Sequence, residues 1–288
     1  MYEYASLPAH ASAWIRTNTG VAQDPVRALV TLRELHPDPY PVTRDASLPE
    51  VDLDEVNTSL KTLLLRASES DDEDEPRGMK ALRKVVSRSP HLSSPHADGW
   101  RYEHLRMLMS KPDAGEAEAV LHLERALLSF CARVLTGDLP PRAAAFCRSG
   151  TLIALDKLNR QDRAEADALD PTAPMKVRPV AFGLVLVRLC GNILLELVSQ
   201  DATAFLGDVQ RGFRDPGGCE KITLLVRAAR EYDRSLGAVA LDLKNAFQSV
   251  SRISMREELV RDPRLHFLLP LFGLLYAEPG HLMYYAEP

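Results

Sequence analysis

Apolar positions recur at helical spacing through most of the chain. Asp24 precedes Pro25, and Leu29, Leu32 and Leu35 follow, which predicts a capped helix that stops at His36-Pro37-Asp38-Pro39. A second helix is expected over Val51–Leu65, a basic one over 80–88, and further helices over 101–109 and 116–136. In the last of these Val120, Leu121, Leu123, Leu127, Leu128, Cys131, Val134 and Leu135 form a wide apolar face, closed by Gly137 and Pro140-Pro141. Segments 184–200, 219–233, 252–261 and 265–276 also read as helical.

Strand signals are few. Ser149–Leu155 is a short apolar run, and Val177-Arg178-Pro179-Val180 reads as extended. Gly237–Leu243, GAVALDL, is the clearest strand: an apolar run entered after Gly and ending at a carboxylate. The final HLMYYAEP looks like the start of another. Segments 89–100 and 159–175 read as polar loops, and Gly207–Gly218 as irregular. The sum is a helix-rich α+β chain with no internal repeat. The low aromatic share, 6%, fits that class better than an all-β one.

Charge sharpens the organisation. Glu69 and the run Asp71, Asp72, Glu73, Asp74, Glu75 form an acidic stretch, and Arg77, Lys80, Arg83, Lys84 and Arg88 follow it. The acidic segment 67–77 is the expected linker between an N-terminal helical region, 1–66, and the remainder. A net charge of −5 weighs against strong nucleic-acid binding by the chain as a whole, but leaves room for a local basic surface. The four cysteines lack metal spacing and are expected as buried free thiols in a reducing compartment. The N-terminus lacks a basic-then-apolar leader, and Arg188 and Glu196 interrupt the most apolar run, Val180–Val198; an intracellular protein, nuclear or cytoplasmic, with no membrane span is expected.

Asp242 is the first residue with chemical promise. A strand-end carboxylate beside a turn suits a divalent cation that also binds phosphate oxygens and water. On pattern alone it reads equally well as a turn cap. Phe247, five positions on, reads alone as a core aromatic. Lys157 and Arg178 read alone as solvated cations, although Arg donates in pairs to phosphate oxygens. Serine and metalloprotease chemistry lack GxSxG and HExxH. The Asp-Leu-Lys order also departs from the D-x-D of haloacid-dehalogenase-type enzymes.

In order, AVALDLKNAFQSVSR (238–252) resembles motif A of reverse transcriptases, in the form found in non-LTR retroelements and group II introns. PHADGWRYEHLR (95–106) resembles the P-x-x-D-G block at the start of the fingers. GTLIALDKL and KVRPVAF (150–158 and 176–182) resemble the two strands of the fingers hairpin, and VRLCGNILLEL (187–197) the helix after it. VQRGFRDPGGCEKIT (209–223), with Gln210, Gly212 and Phe213, resembles the Q-x-G-F segment.

The resemblance implies a right-hand polymerase with fingers over 78–206 and the start of a palm over 207–288. It implies Asp242 as catalytic metal ligand, Phe247 as a ring that excludes the ribose 2′-hydroxyl, and Lys157 and Arg178 as phosphate or template contacts. Mg²⁺ is the implied ion; RNA template, DNA primer and dNTP are the implied substrates, and a retrotransposon the implied source. The departure is that no Asp-Asp pair follows Asp242, and Glu257, Glu258, Asp262, Glu278 and Glu287 are the carboxylates that remain. The 288 residues are therefore expected to be an N-terminal fragment, inactive alone, of an RNA-directed DNA polymerase. The alternative is a non-catalytic nucleic-acid-binding remnant that keeps the fingers surface.

Overall fold

The computed structural model describes residue 22 and residues 24–35, 47–66, 75–90, 96, 98–110, 117–207, 210–212, 215–243 and 246–284. Helices α1 (Pro25–Leu35), α2 (Leu53–Leu65), α3 (Arg77–Arg88), α4 (Tyr102–Leu108), α5 (Ala117–Leu135) and α6 (Pro141–Cys147) lead to strand β1 (Gly150–Asp156). Helix α7 (Arg160–Leu169) connects β1 to β2 (Val177–Gly183). Helices α8 (Val185–Leu197), α9 (Ser199–Leu206), α10 (Gly218–Tyr232), α11 (Ala246–Ser249) and α12 (Arg252–Arg261) follow. A 3-10 turn (Pro263–Leu268), α13 (Leu269–Tyr276) and β3 (Leu282–Tyr284) end the described chain. The protein is thus a helix-rich α+β chain with one small sheet among the described residues.

Short polar residues set many helix starts. Asp24 Oδ1 accepts from Val26 N and Arg27 N at 3.1 and 3.0 Å, and Asp52 Oδ1 accepts from Asp54 N and Glu55 N at 2.9 and 3.1 Å. The main core forms where α2, α3, α5 and α8 meet, around Leu60, Leu64, Leu82, Val134, Leu135, Leu189 and Ile193. Leu60 and Leu64 precede the acidic run and share this core with residues that follow it.

A second, smaller core lies between α1 and the sheet. The sheet order is β2-β1-β3, with β1 antiparallel to β2 and parallel to β3. Ala28, Leu32 and Leu35 of α1 meet Leu152, Ala154 and Val177, together with Met175. Side chains alternate across a strand, so this contact buries only one face of the sheet.

The structure corrects four expectations. Gly237–Leu243 forms no strand; it has no regular structure and is exposed, because among the described residues no strand pairs with its backbone. The polar stretch 159–175 contains helix α7. Asn159 caps it, accepting from Asp162 N at 2.9 Å, and Arg163 anchors it by two 2.7 Å bonds to Asp156. The expected helix 184–200 breaks at Val198 into α8 and α9. Cys131, Cys147 and Cys190 are buried as free thiols, but Cys219 is exposed, because α10 lies outside both cores.

Candidate functional site

The β1–β2 pair carries the first group of candidate residues. Its register sets Leu155 opposite Arg178 and Ile153 opposite Val180. Lys157 N donates to Lys176 O at 2.9 Å, which continues the same register one pair beyond the strand ends. Directly opposite residues of an antiparallel pair point to the same side. Lys157, Lys176 and Arg178 therefore share the face that α1 does not cover. All three are exposed, and none has an ion-pair partner among the described residues. Beyond them Ile153, Leu155, Val180 and Phe182 give the same face a half-buried apolar band.

Lys176 was not singled out by the sequence reading, yet the signal was present. In KVRPV the alternation of a strand puts Lys176 and Arg178 on one side and buries Val177 on the other. Three cations this close repel one another and favour an anionic ligand. A guanidinium and two ammonium groups suit phosphate oxygens, the first in pairs and the others as point charges.

The neighbouring blocks are tied to this hairpin and to one another. His96 is buried, and its ring nitrogens lie 2.9 Å from Thr151 Oγ1 and 3.1 Å from Ser149 Oγ, at the start of β1. Burial pushes the His96 imidazole below its ordinary value, so it sits there neutral. Asp98 Oδ1 accepts from Trp100 N at 3.1 Å, and Gly99 takes a φ of 72°, the left-handed turn that the Asp-Gly pair announces. Tyr102 is buried at the start of α4, and its hydroxyl accepts from Asn192 Nδ2 of α8 at 3.1 Å. Burial raises the Tyr102 hydroxyl above its ordinary value.

The basic helix α3 is less free than its sequence suggests. Arg83 donates to both oxygens of Glu124 at 2.8 and 2.6 Å and to Glu75 at 2.5 Å, and Lys84 pairs with Glu196. These partners neutralise two of its five cations. Lys84 and Arg88 line a cleft of about 780 Å³ with Asn192, Glu196, Gly212 and Asp215. Within the Q-x-G-F block, Gln210 Oε1 accepts from Gly212 N at 2.7 Å; the side chain closes its own turn. Lys221 and then Arg211 hold Asp215 below the usual carboxylate range. Phe213 lies outside the described residues.

Asp242 stands apart. It is exposed, and no hydrogen bond or ion pair joins it to Lys157 or Arg178 among the described residues. Phe247 falls in α11, five positions later, and its side chain lies outside the described residues. Among the described residues no group of three or more His, Cys, Asp or Glu side chains could hold a metal ion. Asp242 offers one carboxylate, so a Mg²⁺ pair does not fit these residues alone. The structure thus brings Lys157 and Arg178 together, adds Lys176, and joins Asp242 to none of them by a hydrogen bond or ion pair among the described residues.

Among the described residues no helix is long and apolar enough to cross a membrane. No family model, curated protein or solved structure matches the chain.

Proposed function

We propose that the chain is part of a reverse-transcriptase-like polymerase, containing a fingers region and the first metal-binding carboxylate of a palm. The observation that carries this reading is the β1–β2 pair. Two segments chosen for their likeness to the fingers hairpin pair in antiparallel register, and both of their candidate phosphate-binding cations lie on one open face. The ties from His96 to β1 and from Tyr102 to α8 support it, because they join blocks that the resemblance also groups. In this reading Lys157 and Arg178 hold phosphates of template or dNTP, and Phe247 lies under the incoming sugar. Asp242 supplies one of several carboxylates that must converge.

RNA-templated incorporation of dNTPs, assayed with Mg²⁺ on the product of the complete open frame that contains this chain, tests the reading. Incorporation that disappears in Asp242→Ala supports it. A frame with no aromatic-x-Asp-Asp motif after Asp242, or incorporation indifferent to Asp242, sinks it. The 288-residue chain alone is expected to incorporate nothing.

A non-catalytic nucleic-acid-binding role is the second reading, favoured by the unpaired cations of the open face. It predicts RNA binding that weakens with salt, with a slope that falls by about 1 for each of Lys157→Ala, Lys176→Ala and Arg178→Ala.

A further inference from the structure

Two of the three cations on the open face of the sheet are set by apolar neighbours. Met175 and Val177 are buried in the smaller core and flank Lys176, and Val177 precedes Arg178. Thr31 Oγ1 also donates to Met175 O at 2.6 Å. Lys157 has no such support. The inward positions of β1 are Gly150, Leu152, Ala154 and Asp156. The residue before Lys157 is therefore a carboxylate where the pattern calls for an apolar side chain.

That carboxylate is buried and paired on both oxygens. Arg163 Nε donates to Asp156 Oδ2 and Arg163 Nη2 to Oδ1, both at 2.7 Å, and Leu158 N donates to Oδ1 at 2.9 Å. The Asp156 and Arg163 side chains are only 9% and 15% exposed. The Leu158 bond closes a turn over Lys157, and Lys157 N itself donates to Lys176 O at 2.9 Å. The backbone around Lys157 is thus fixed by the Asp156 side chain and by the facing strand end. Asp167 extends the clamp to α1: it lies 3.8 Å from Arg163 Nη1 and accepts from Arg27 Nη1 at 2.9 Å. A buried carboxylate is costly, and an apolar residue at 156 would be buried more cheaply. Such a residue could not accept from Leu158 N.

We propose that Asp156 and Arg163 are positioning residues for Lys157. The guanidinium locks the carboxylate, the carboxylate locks the turn, and the turn holds Lys157 on the open face beside Lys176 and Arg178. The clamp acts on one cation of the three, because the other two are set by Met175 and Val177. Its purpose rests on the reading of that face as a phosphate-binding surface. The rigidity of Lys157 does not, so the two can fail separately.

Nitrogen-15 relaxation of the full chain without RNA reads the positioning directly. In Arg163→Ala the Lys157 amide is expected to fall from an order parameter of about 0.85 to below about 0.6, while Arg178 keeps its value. Asp156→Asn combined with Arg163→Ala leaves no buried charge unpaired and is expected to behave the same way. A Lys157 amide as rigid as in the parent, in either variant, overturns the proposal. So does equal loosening of Arg178, which marks a general loss of the hairpin. Salt titration of oligouridylate binding then reads the consequence. Arg163→Ala lowers the salt slope by about 1, Lys157→Ala lowers it no further in that background, and Arg178→Ala lowers it by about 1 more. A full further loss from Lys157→Ala on top of Arg163→Ala also overturns the positioning role. A parent chain that binds no oligouridylate sinks the phosphate reading instead, and the relaxation result then decides the clamp by itself.

Discussion

At the scale of single residues, the described carboxylates differ sharply in their partners. Asp262 caps the turn after α12. It accepts from Arg264 N at 3.0 Å and from Arg264 Nε at 2.9 and 3.1 Å. The Arg264 guanidinium, first, and its backbone N–H, second, hold Asp262 down to about 2. A depressed folded value means that the group stabilises the fold above the ordinary carboxylate range. That contribution is lost as pH falls from there toward about 2. Arg264→Ala removes the guanidinium but keeps the backbone N–H, so Asp262 is expected to rise part of the way toward the ordinary range and this acid limb to shrink. Carbon-detected titration of the Asp262 carboxyl checks it, and an unchanged midpoint in Arg264→Ala would contradict the assignment. Asp242 is exposed and has no hydrogen-bond or ion-pair partner among the described residues.

Elements depend on fits that sequence pattern signals only partly. Gly78, near the start of α3, faces the end of α2. A Cβ there would lie far inside contact distance of the Leu64 carbonyl oxygen and 2.9 Å from Leu128 Cδ1. Gly78→Ala must therefore push α2 from α3, and about 1–3 kcal/mol of stability should go with it. Urea unfolding measures the loss; a variant as stable as the parent would show that the helices can part without penalty. The helices themselves were legible, since Asp24-Pro25 and the apolar face of 116–136 are local signals. Strand β1 was legible as a short apolar run, and its pairing with β2 was implied only by the resemblance. Helix α7 was not, because RQDRAEADAL has no apolar stripe and is held by a cap and by Arg163 on Asp156. The GAVALDL run misled for the opposite reason. A strand is a property of a pair, and the run names its own half only. The cationic face was half legible: Lys157 and Arg178 came from likeness, and Lys176 required the register.

For the molecule as a whole, the two cores carry different duties. The larger one joins helices across the acidic run, whereas the smaller one has eight buried residues and sets the back of the sheet. Its polar fastenings are also local to α1: Ala22 N to Ala154 O at 2.8 Å, Thr31 Oγ1 to Met175 O at 2.6 Å, and Arg27 Nε to Ala173 O at 2.7 Å. Leu32 is the α1 side chain most enclosed by volume, so Leu32→Ala removes the centre of that contact. A loss of about 3 kcal/mol is expected from the lost burial and the cavity together. Amide exchange should then quicken in α1, β1 and β2, while α3, α5 and α8 keep their protection, because their apolar contacts lie in the other core. If the cationic face holds a phosphate polymer as proposed, that binding should weaken too, although Leu32 lies behind the sheet, since the spacing of Lys157, Lys176 and Arg178 depends on a supported hairpin. Equal loss of protection in both cores would mean one cooperative unit, and the cationic face would then owe its shape to the whole helical body rather than to α1.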